Sequence, residues 1–158
     1  MEFLLFLNSH EREILELITK ANYGVEENTP LCLLGEKFMG FFKRKQKRIV
    51  ICTENAKTYG DFYLNKLKNR GEAYKTSAFI RKALRHESVH VAQHCNNGKL
   101  LDLSRIGNYK LNPSKMQALK ASSIFSGEIQ KEYEAYILED KPRLVVNVLK
   151  KYCMWRVD

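Results

Sequence analysis

The sequence predicts an α+β domain that is mostly helical and carries a small β-sheet or hairpin near its beginning. Apolar residues recur every three or four positions through much of the second half of the chain, which is the period of an amphipathic helix. Residues 48–52 form a compact, β-branched run that is typical of a strand. The 158 residues, 44% hydrophobic and 28% charged, suit a single domain over 1–158.

The first elements along the chain are a helix and a charged hairpin. Helical spacing of apolar residues predicts an amphipathic helix from about 9 to 21, with Ser9 as its cap. The apolar runs 38–42 and 48–52 flank the segment 43–48, in which five of six residues are basic. This order predicts a hairpin whose tip is either a solvated turn or a contact for a polyanion.

Three helices are predicted in the rest of the chain. The first covers 77–97 and ends at the Asn-Asn-Gly sequence 96–98, which favours a left-handed stop. A long helical pattern then runs from 114 to about 139. The last helix, 142–153, begins with a proline, which the first turn of a helix accepts.

Several protein classes are disfavoured by the composition. No stretch approaches the roughly 20 apolar residues that span a bilayer. The apolar run at 3–7 lacks a basic flank and leads directly into charged residues, so we expect a helix here and no export signal. The four cysteines lie far apart and form no C-x-x-C pair, which disfavours a zinc ribbon. We therefore expect a cytoplasmic protein with buried, reduced thiols and no membrane partner.

The positive charge has two interpretations. The chain carries 27 Lys and Arg against 18 Asp and Glu, a formal net charge of +9. Such a charge can attract nucleic acid or another polyanion, and it can also serve solubility alone. Nucleic acid is not the favoured partner, because none of the usual nucleic-acid-binding signatures is present.

The motif that carries chemistry lies on the predicted helix 77–97, where residues 86–90 read HESVH. One turn separates His86 from His90, so both imidazoles leave the same face and can share one metal ion. Glu87 lies about 100° around the helix from His86, a direction that reaches a water on the metal without binding the metal. Zinc lowers the pKa of that water towards 7, and a nearby carboxylate can accept its proton. The alternative is a pair of core histidines satisfied by hydrogen bonds.

A catalytic zinc takes three protein ligands, and several residues are candidates for the third. His94 lies a further turn along the same helix, but it drifts about 80° around the axis from His86. A single ion is therefore poorly placed to bind all three histidines. The later helical segment carries four carboxylates, Glu128, Glu132, Glu134 and Glu139. They could equally form a solvated, charged helix face.

The two helical segments together resemble the gluzincin zinc metallopeptidases. In that group a helix bearing H-E-x-x-H is followed by a helix bearing E-x-x-[AS]-D, whose Glu is the third ligand. The segment 132–136 reads EYEAY, which matches E-x-x-A, and HVAQ at 90–93 is similar to the H-x-x-Q of small gluzincin-like domains. Tyr136 stands where the family has an Asp that orients a metal-binding His, so this chain departs from the pattern there.

The resemblance implies a zincin-like fold, in which a small sheet packs on the active-site helix. It implies that His86, His90 and Glu132 bind Zn²⁺ and that Glu87 is the catalytic general base. Glu128, one turn earlier on the same face as Glu132, is the main rival as third ligand.

The resemblance also bears on how a substrate would bind. It implies that an extended peptide pairs with an edge strand before the active-site helix, for which residues 48–52 are the candidate. It further implies an oxyanion donor, for which Tyr109, Tyr133 and Tyr136 are available.

The expected function is that of a zinc-dependent hydrolase, a metallopeptidase acting on a peptide or protein substrate. The alternative is a basic binding module for nucleic acid or an acidic partner, with a structural or vestigial metal site. A third possibility is an intact metal site in a protein that cleaves nothing, because 158 residues leave little room for the second lobe that walls a peptidase cleft.

Overall fold

A computed structural model of the chain describes residues 1–68, 73–102, 111–126 and 128–154. These residues form helices α1 Ser9–Lys20, α2 Thr53–Tyr59, α3 Phe62–Lys68, α4 Tyr74–Cys95, α5 Pro113–Ser126, α6 Ile129–Leu138 and α7 Pro142–Cys153. They also form strands β1 Gly24–Glu27, β2 Gly40–Lys43 and β3 Arg48–Ile51, and two short 3-10 segments, Glu2–Phe6 and Pro30–Leu34. The predicted α+β class, mostly helical with a small sheet, is confirmed.

The sheet has the strand order β1-β3-β2. β3 pairs in parallel with β1 and antiparallel with β2, so β2 and β3 form the predicted hairpin with a basic turn at 44–47. The side chains of Ile49, Val50 and Ile51 are fully buried, as expected for a central strand that contributes to the core. The expectation that residues 48–52 form a substrate-binding edge strand is therefore wrong, because both edges of β3 are already paired. β2 is the edge strand next to α4.

α4 is the central helix and packs against α1, α6, α7 and two of the strands. Its apolar residues contribute to a core that also includes Ile14 and Ile18 of α1 and Leu149 of α7. A distant side chain caps its start, since the Asp61 carboxylate accepts hydrogen bonds from the backbone N–H groups of Lys75 and Thr76 at 3.1 and 3.0 Å. Its predicted left-handed stop is confirmed: Gly98 has a φ of +76° and donates its N–H to the Gln93 carbonyl.

The helix expected over 114–139 is two helices in the structure, which is a correction. α5 ends at Ser126 and α6 begins at Ile129, with Glu128 at the N-cap in a non-helical backbone conformation. The sequence between the two helices includes a glycine, Gly127, a residue type that disfavours a continuous helix. As a result, Glu132 lies in the first turn of a separate short helix. The small residue Ala135, fully buried in the core, is on that same helix.

The cysteines are a second correction. The structure pairs Cys32 with Cys52 and Cys95 with Cys153, and no free cysteine remains. The first disulfide joins the 3-10 segment Pro30–Leu34 to the end of β3, and the second joins the ends of α4 and α7. Periodicity gives no information on such pairings, because the partners are 20 and 58 residues apart in sequence. The expectation of reduced thiols is wrong for this structure.

Among the described helices, none is both long enough and apolar enough to cross a bilayer.

Candidate metal centre

α4 and α6 bring the three predicted metal ligands together. His86 and His90 leave the same face of α4, one turn apart, and Glu132 approaches them from the first turn of α6. The Nε2 atom of His86 lies 3.1 Å from Oε2 of Glu132, and the Nε2 atom of His90 lies 3.0 Å from Oε1 of the same carboxylate. One ligand atom from each residue lies within 4.8 Å of the others.

This donor set fits zinc. Two imidazole nitrogens and one carboxylate oxygen form a ligand combination found in catalytic zinc sites, which keep a fourth position open. A tetrahedral ion with bonds of about 2.1 Å separates its ligand atoms by about 3.4 Å. The spacings between the Glu132 oxygens and the two Nε2 atoms are close to that value, and one ligand atom from each of the three residues lies within 4.8 Å of the other two.

In the metal-free protein, the pKa values of His86 and Glu132 are strongly shifted. Burial disfavours the charged form of His86, but hydrogen bonds to Glu132 and Glu139 outweigh that effect and raise the pKa of His86 to about 10. Burial also disfavours the ionised form of Glu132, yet hydrogen bonds from His86 and His90 hold the pKa of Glu132 well below its usual range. The protonated His86 and the carboxylate thus compensate each other where a cation would otherwise lie.

Glu139 orients His86 and was not assigned this role from the sequence. Its Oε2 lies 3.1 Å from Nδ1 of His86, on the side of the ring away from Glu132, and its Oε1 accepts a hydrogen bond from Lys115 at 2.8 Å. Glu139 is 4% exposed. A carboxylate behind a metal-binding His fixes its tautomer and increases its basicity. Tyr136, for which the gluzincin pattern would predict an Asp, packs its ring against His86, with centroids 4.5 Å apart.

A separate chain of hydrogen bonds orients His90. Its Nδ1 lies 2.9 Å from the Gln93 amide oxygen, while the Gln93 amide nitrogen donates to Glu134 at 2.9 Å and to the Lys131 carbonyl at 3.1 Å. Because the amide nitrogen faces two acceptors, the amide oxygen accepts from Nδ1 of His90, so the neutral ring would keep its proton on Nδ1 and present the Nε2 lone pair to a metal. Glu134 is anchored in turn by the backbone N–H of Leu101. This gives a structural role to Gln93 of the H-x-x-Q sequence.

Glu87 lies beside the cluster, between α4 and the edge strand β2. A Cβ atom added to Gly40 of β2 would lie 3.2 Å from Cγ of Glu87 and 3.0 Å from the Val50 carbonyl oxygen, so glycine eases the close approach of the strand to Glu87. Burial raises the pKa of Glu87, and the nearby His86 and His90 oppose that rise. Within the described part of the chain, no group donates a hydrogen bond to the Glu87 carboxylate. It is free to accept one from water in the cleft.

These residues line a cleft of about 520 Å³. α4 supplies the floor with His86, Glu87 and His90, β2 forms one wall, and the start of α6 forms the other. Arg44 and Lys45 of the hairpin turn line the same cleft. The basic tip of the predicted hairpin therefore forms part of the rim of this cleft.

The rival ligands lie outside the three-residue cluster, although Glu128 and His94 line the same cleft. Glu128 is paired with Arg44, at 3.9 Å, and with Lys131, and it is outside the ligand cluster. His94 points towards β1, with its Nδ1 2.5 Å from the Tyr23 hydroxyl. Glu134 accepts a hydrogen bond from Gln93 and is outside the ligand cluster.

Two of the three tyrosines considered as oxyanion donors do not line the cleft. Neither Tyr133 nor Tyr136 lines the cleft, and Tyr109 lies outside the described residues. Among the described residues, no tyrosine is therefore placed for that role.

A mostly helical α+β chain with a two-histidine, one-glutamate cluster on an open cleft is a candidate metalloprotein. The family model described as "Domain of unknown function (DUF8637)" matches residues 3–154, so the chain belongs to that family. Neither a curated protein nor a solved structure matches the chain significantly.

Proposed function

We propose that this protein is a zinc-dependent hydrolase, a metallopeptidase of the gluzincin type with a zincin-like arrangement of α4, α6 and the sheet. The observation that carries the proposal is the convergence of His86, His90 and Glu132 within 4.8 Å at the floor of an open cleft, with the Glu87 carboxylate beside them. A purely structural pair of histidines needs neither an open cleft nor an adjacent carboxylate that, among the described residues, receives no hydrogen bond.

Each side chain has a definite task in this proposal. Zinc held by His86, His90 and Glu132 would leave one position for water, lower the pKa of that water towards 7 and polarise a substrate carbonyl. Glu87 accepts the proton of the attacking water and delivers it to the leaving amine. Glu139 and Gln93 keep the two imidazoles in the tautomers that present Nε2 to the ion.

β2 is the strand best placed to bind the peptide. It is the edge strand of the sheet, and its residues Gly40, Phe41 and Phe42 line the cleft above α4. An extended peptide added to this edge would gain main-chain hydrogen bonds and pass close to Glu87. This assigns to β2 the role that the sequence alone suggested for residues 48–52.

The disulfides bear on where the protein works. Two disulfides persist in oxidising compartments and are rare in the cytosol. We therefore favour an oxidising compartment over the cytoplasmic location that the sequence suggested. Mass spectrometry of thiols alkylated at the moment of cell lysis tests this, because reduced cysteines in the natural host would contradict it.

A Glu87→Gln variant tests the catalytic proposal. The amide keeps the shape of the side chain but cannot accept a proton, so we expect stoichiometric zinc and a loss of peptide hydrolysis of at least about 100-fold. Cleavage of a diverse peptide mixture by zinc-loaded protein is followed by mass spectrometry. Glu16→Gln, at an exposed position on α1, is the matched control and should cleave like the wild type. Unchanged cleavage by Glu87→Gln, or no cleavage by the wild type, would contradict the proposal.

A further inference from the structure

The rim of the cleft indicates a class of substrate. We propose that the cleft binds acidic peptide segments, whose carboxylates are held by Arg44, Lys45 and Lys131. This inference rests on the proposed function, because it places the peptide in the same cleft. Two observations support the inference. Arg44 and Lys45 of the hairpin face the cleft. A carboxylate of this chain, Glu128, already lies between Arg44 and Lys131.

The five basic residues of the hairpin tip divide into two sets. Lys43 and Arg48 pair with one carboxylate of β1, Glu26, at 3.2 and 3.3 Å. Lys47 lies over the Tyr23 ring, 4.6 Å from its centroid. These three side chains are engaged on the β1 side of the hairpin, and none of them lines the cleft.

Arg44 and Lys45 are the second set, and they face the cleft. Within the described part of the chain, Lys45 has no ion-pair partner, and it is exposed. Arg44 reaches across the mouth of the cleft towards the start of α6. The basic turn therefore presents two cations at the entrance to the candidate metal centre.

Lys131 supplies the third cation from the opposite wall. Its side chain is only 16% exposed, and it pairs with Glu128, which also lies 3.9 Å from Arg44. Glu128 is thus a carboxylate held between cations of both walls, and its pKa is lowered by the hydrogen bond from Lys131 and by the charge of Arg44. The site shows that Arg44 and Lys131 can bind a carboxylate together. A substrate carboxylate would compete with Glu128 for them.

Peptide fits the remaining surface better than nucleic acid does. Phe38, Phe41 and Phe42 line the cleft and offer apolar contacts for side chains, and β2 offers an open strand edge. Tight nucleic-acid binding needs more phosphate contacts than two or three cations supply.

Peptide binding to the metal-free protein tests the inference without any catalytic readout. Three fluorescent dodecapeptides share a neutral apolar centre and differ only in their flanks, which carry glutamate, glutamine or lysine. Fluorescence anisotropy should give the tightest Kd for the glutamate peptide, about tenfold below that of the glutamine peptide, since each partly exposed pair contributes about twofold to fivefold. The lysine peptide should bind most weakly.

Two variants should change this preference in opposite directions. Removing Arg44 and Lys45 together, as Arg44→Ala and Lys45→Ala, should raise the Kd of the glutamate peptide about fivefold and leave that of the glutamine peptide unchanged. Glu128→Gln should lower the Kd of the glutamate peptide about threefold, because it frees Arg44 and Lys131 from their internal partner. The control is Lys20→Ala with Lys150→Ala, exposed positions on α1 and α7, which removes the same net charge away from the cleft.

Equal affinity for the glutamate and glutamine peptides would overturn the inference. It would also be overturned if the Lys20 and Lys150 control weakened acidic binding as much as the Arg44 and Lys45 variant. A single-stranded oligonucleotide that bound more tightly than the glutamate peptide would replace it with a nucleic-acid role. Cleavage of peptides without any charge preference would leave the hydrolase proposal intact and remove only this inference. Acidic peptide binding without cleavage would support this inference and contradict the hydrolase proposal.

Discussion

The interaction between Glu139 and His86 can be tested by a single substitution, Glu139→Gln. The carboxylate lies 3.1 Å from Nδ1 of His86 and is 4% exposed, so its hydrogen bond is shielded from water. With zinc on Nε2, Nδ1 carries the proton and donates it towards this carboxylate. Glutamine keeps an acceptor oxygen at the same place but removes the negative charge that makes the imidazole a better ligand.

The expected effect is on zinc affinity. Partners behind a metal-binding His change metal affinity by about tenfold to 100-fold, and an amide that still accepts the hydrogen bond belongs at the lower end. We therefore expect the zinc Kd to rise about tenfold, which corresponds to about 1.4 kcal/mol. Competition with a chromophoric zinc chelator measures this difference directly, and urea unfolding of the metal-free variant reports any loss of fold.

Asp140→Asn is the matched control. Asp140 pairs with the same lysine as Glu139, Lys115, at 2.6 Å, but it does not contact His86. We expect this variant to bind zinc like the wild type. Wild-type zinc affinity in Glu139→Gln would refute the orienting role. An equal loss in Asp140→Asn would show that the effect acts through Lys115 and not through His86.

Three further predictions concern the fold around the site. Replacing Cys95 and Cys153 by Ser should lower the free energy of unfolding by about 4 kcal/mol, and replacing Cys32 and Cys52 by Ser should lower it by about 3 kcal/mol, because the two crosslinks close loops of different length. Urea unfolding measures both losses, and a reductant should not change the stability of the variant that lacks all four cysteines. Ala135→Leu should lower the free energy of unfolding by about 1–3 kcal/mol and weaken zinc binding, because Ala135 is fully buried on the helix that carries Glu132. If this variant kept wild-type stability and zinc affinity, the packing of Ala135 in the core would not be what positions α6. Hydrogen bonds to Glu132 and Glu139 raise the pKa of His86 in the metal-free fold to about 10, above the unfolded value of 6.5. The stability contributed by protonated His86 is therefore complete below pH 6.5 and is lost as the pH rises towards 10. Over this range the urea midpoint of the metal-free wild type should fall more than that of His86→Gln.

The local parts of the site were predictable from the sequence. His86, Glu87 and His90 lie on one helix, and their relative directions follow from helical geometry alone. The strand at 48–52 and its charged hairpin were also predictable, because β-branched content and the apolar–basic–apolar order are local signals. Glu132 was chosen over Glu128 by resemblance to a family motif, and the structure brings Glu132 to the two histidines.

The parts that depend on how distant elements meet could not be predicted. The order of the strands depends on pairing between β1 and β3, which left residues 48–52 in the centre and not at the edge. Glu139 reaches His86 only because α6 docks at a particular angle, although its spacing of seven from Glu132 places both on one face of a helix. The disulfides join cysteines that periodicity does not relate.

The direction of the basic turn is the most consequential difference. Charge counting identified 43–48 as basic but could not tell which side chains face β1 and which face the cleft. That division depends on Glu26 and Tyr23, which attract Lys43, Arg48 and Lys47 to the other side.

The central claim is that His86, His90 and Glu132 form a zinc site. The most direct test is the number of zinc ions bound per chain after zinc reconstitution and exhaustive dialysis. Inductively coupled plasma mass spectrometry measures this number. The account predicts one zinc per chain in the wild type and in Glu128→Ala, and a loss of bound zinc in His86→Ala and in Glu132→Ala while circular dichroism shows an intact fold. A wild-type protein without bound zinc, or a Glu132→Ala variant that keeps a full equivalent, would contradict it.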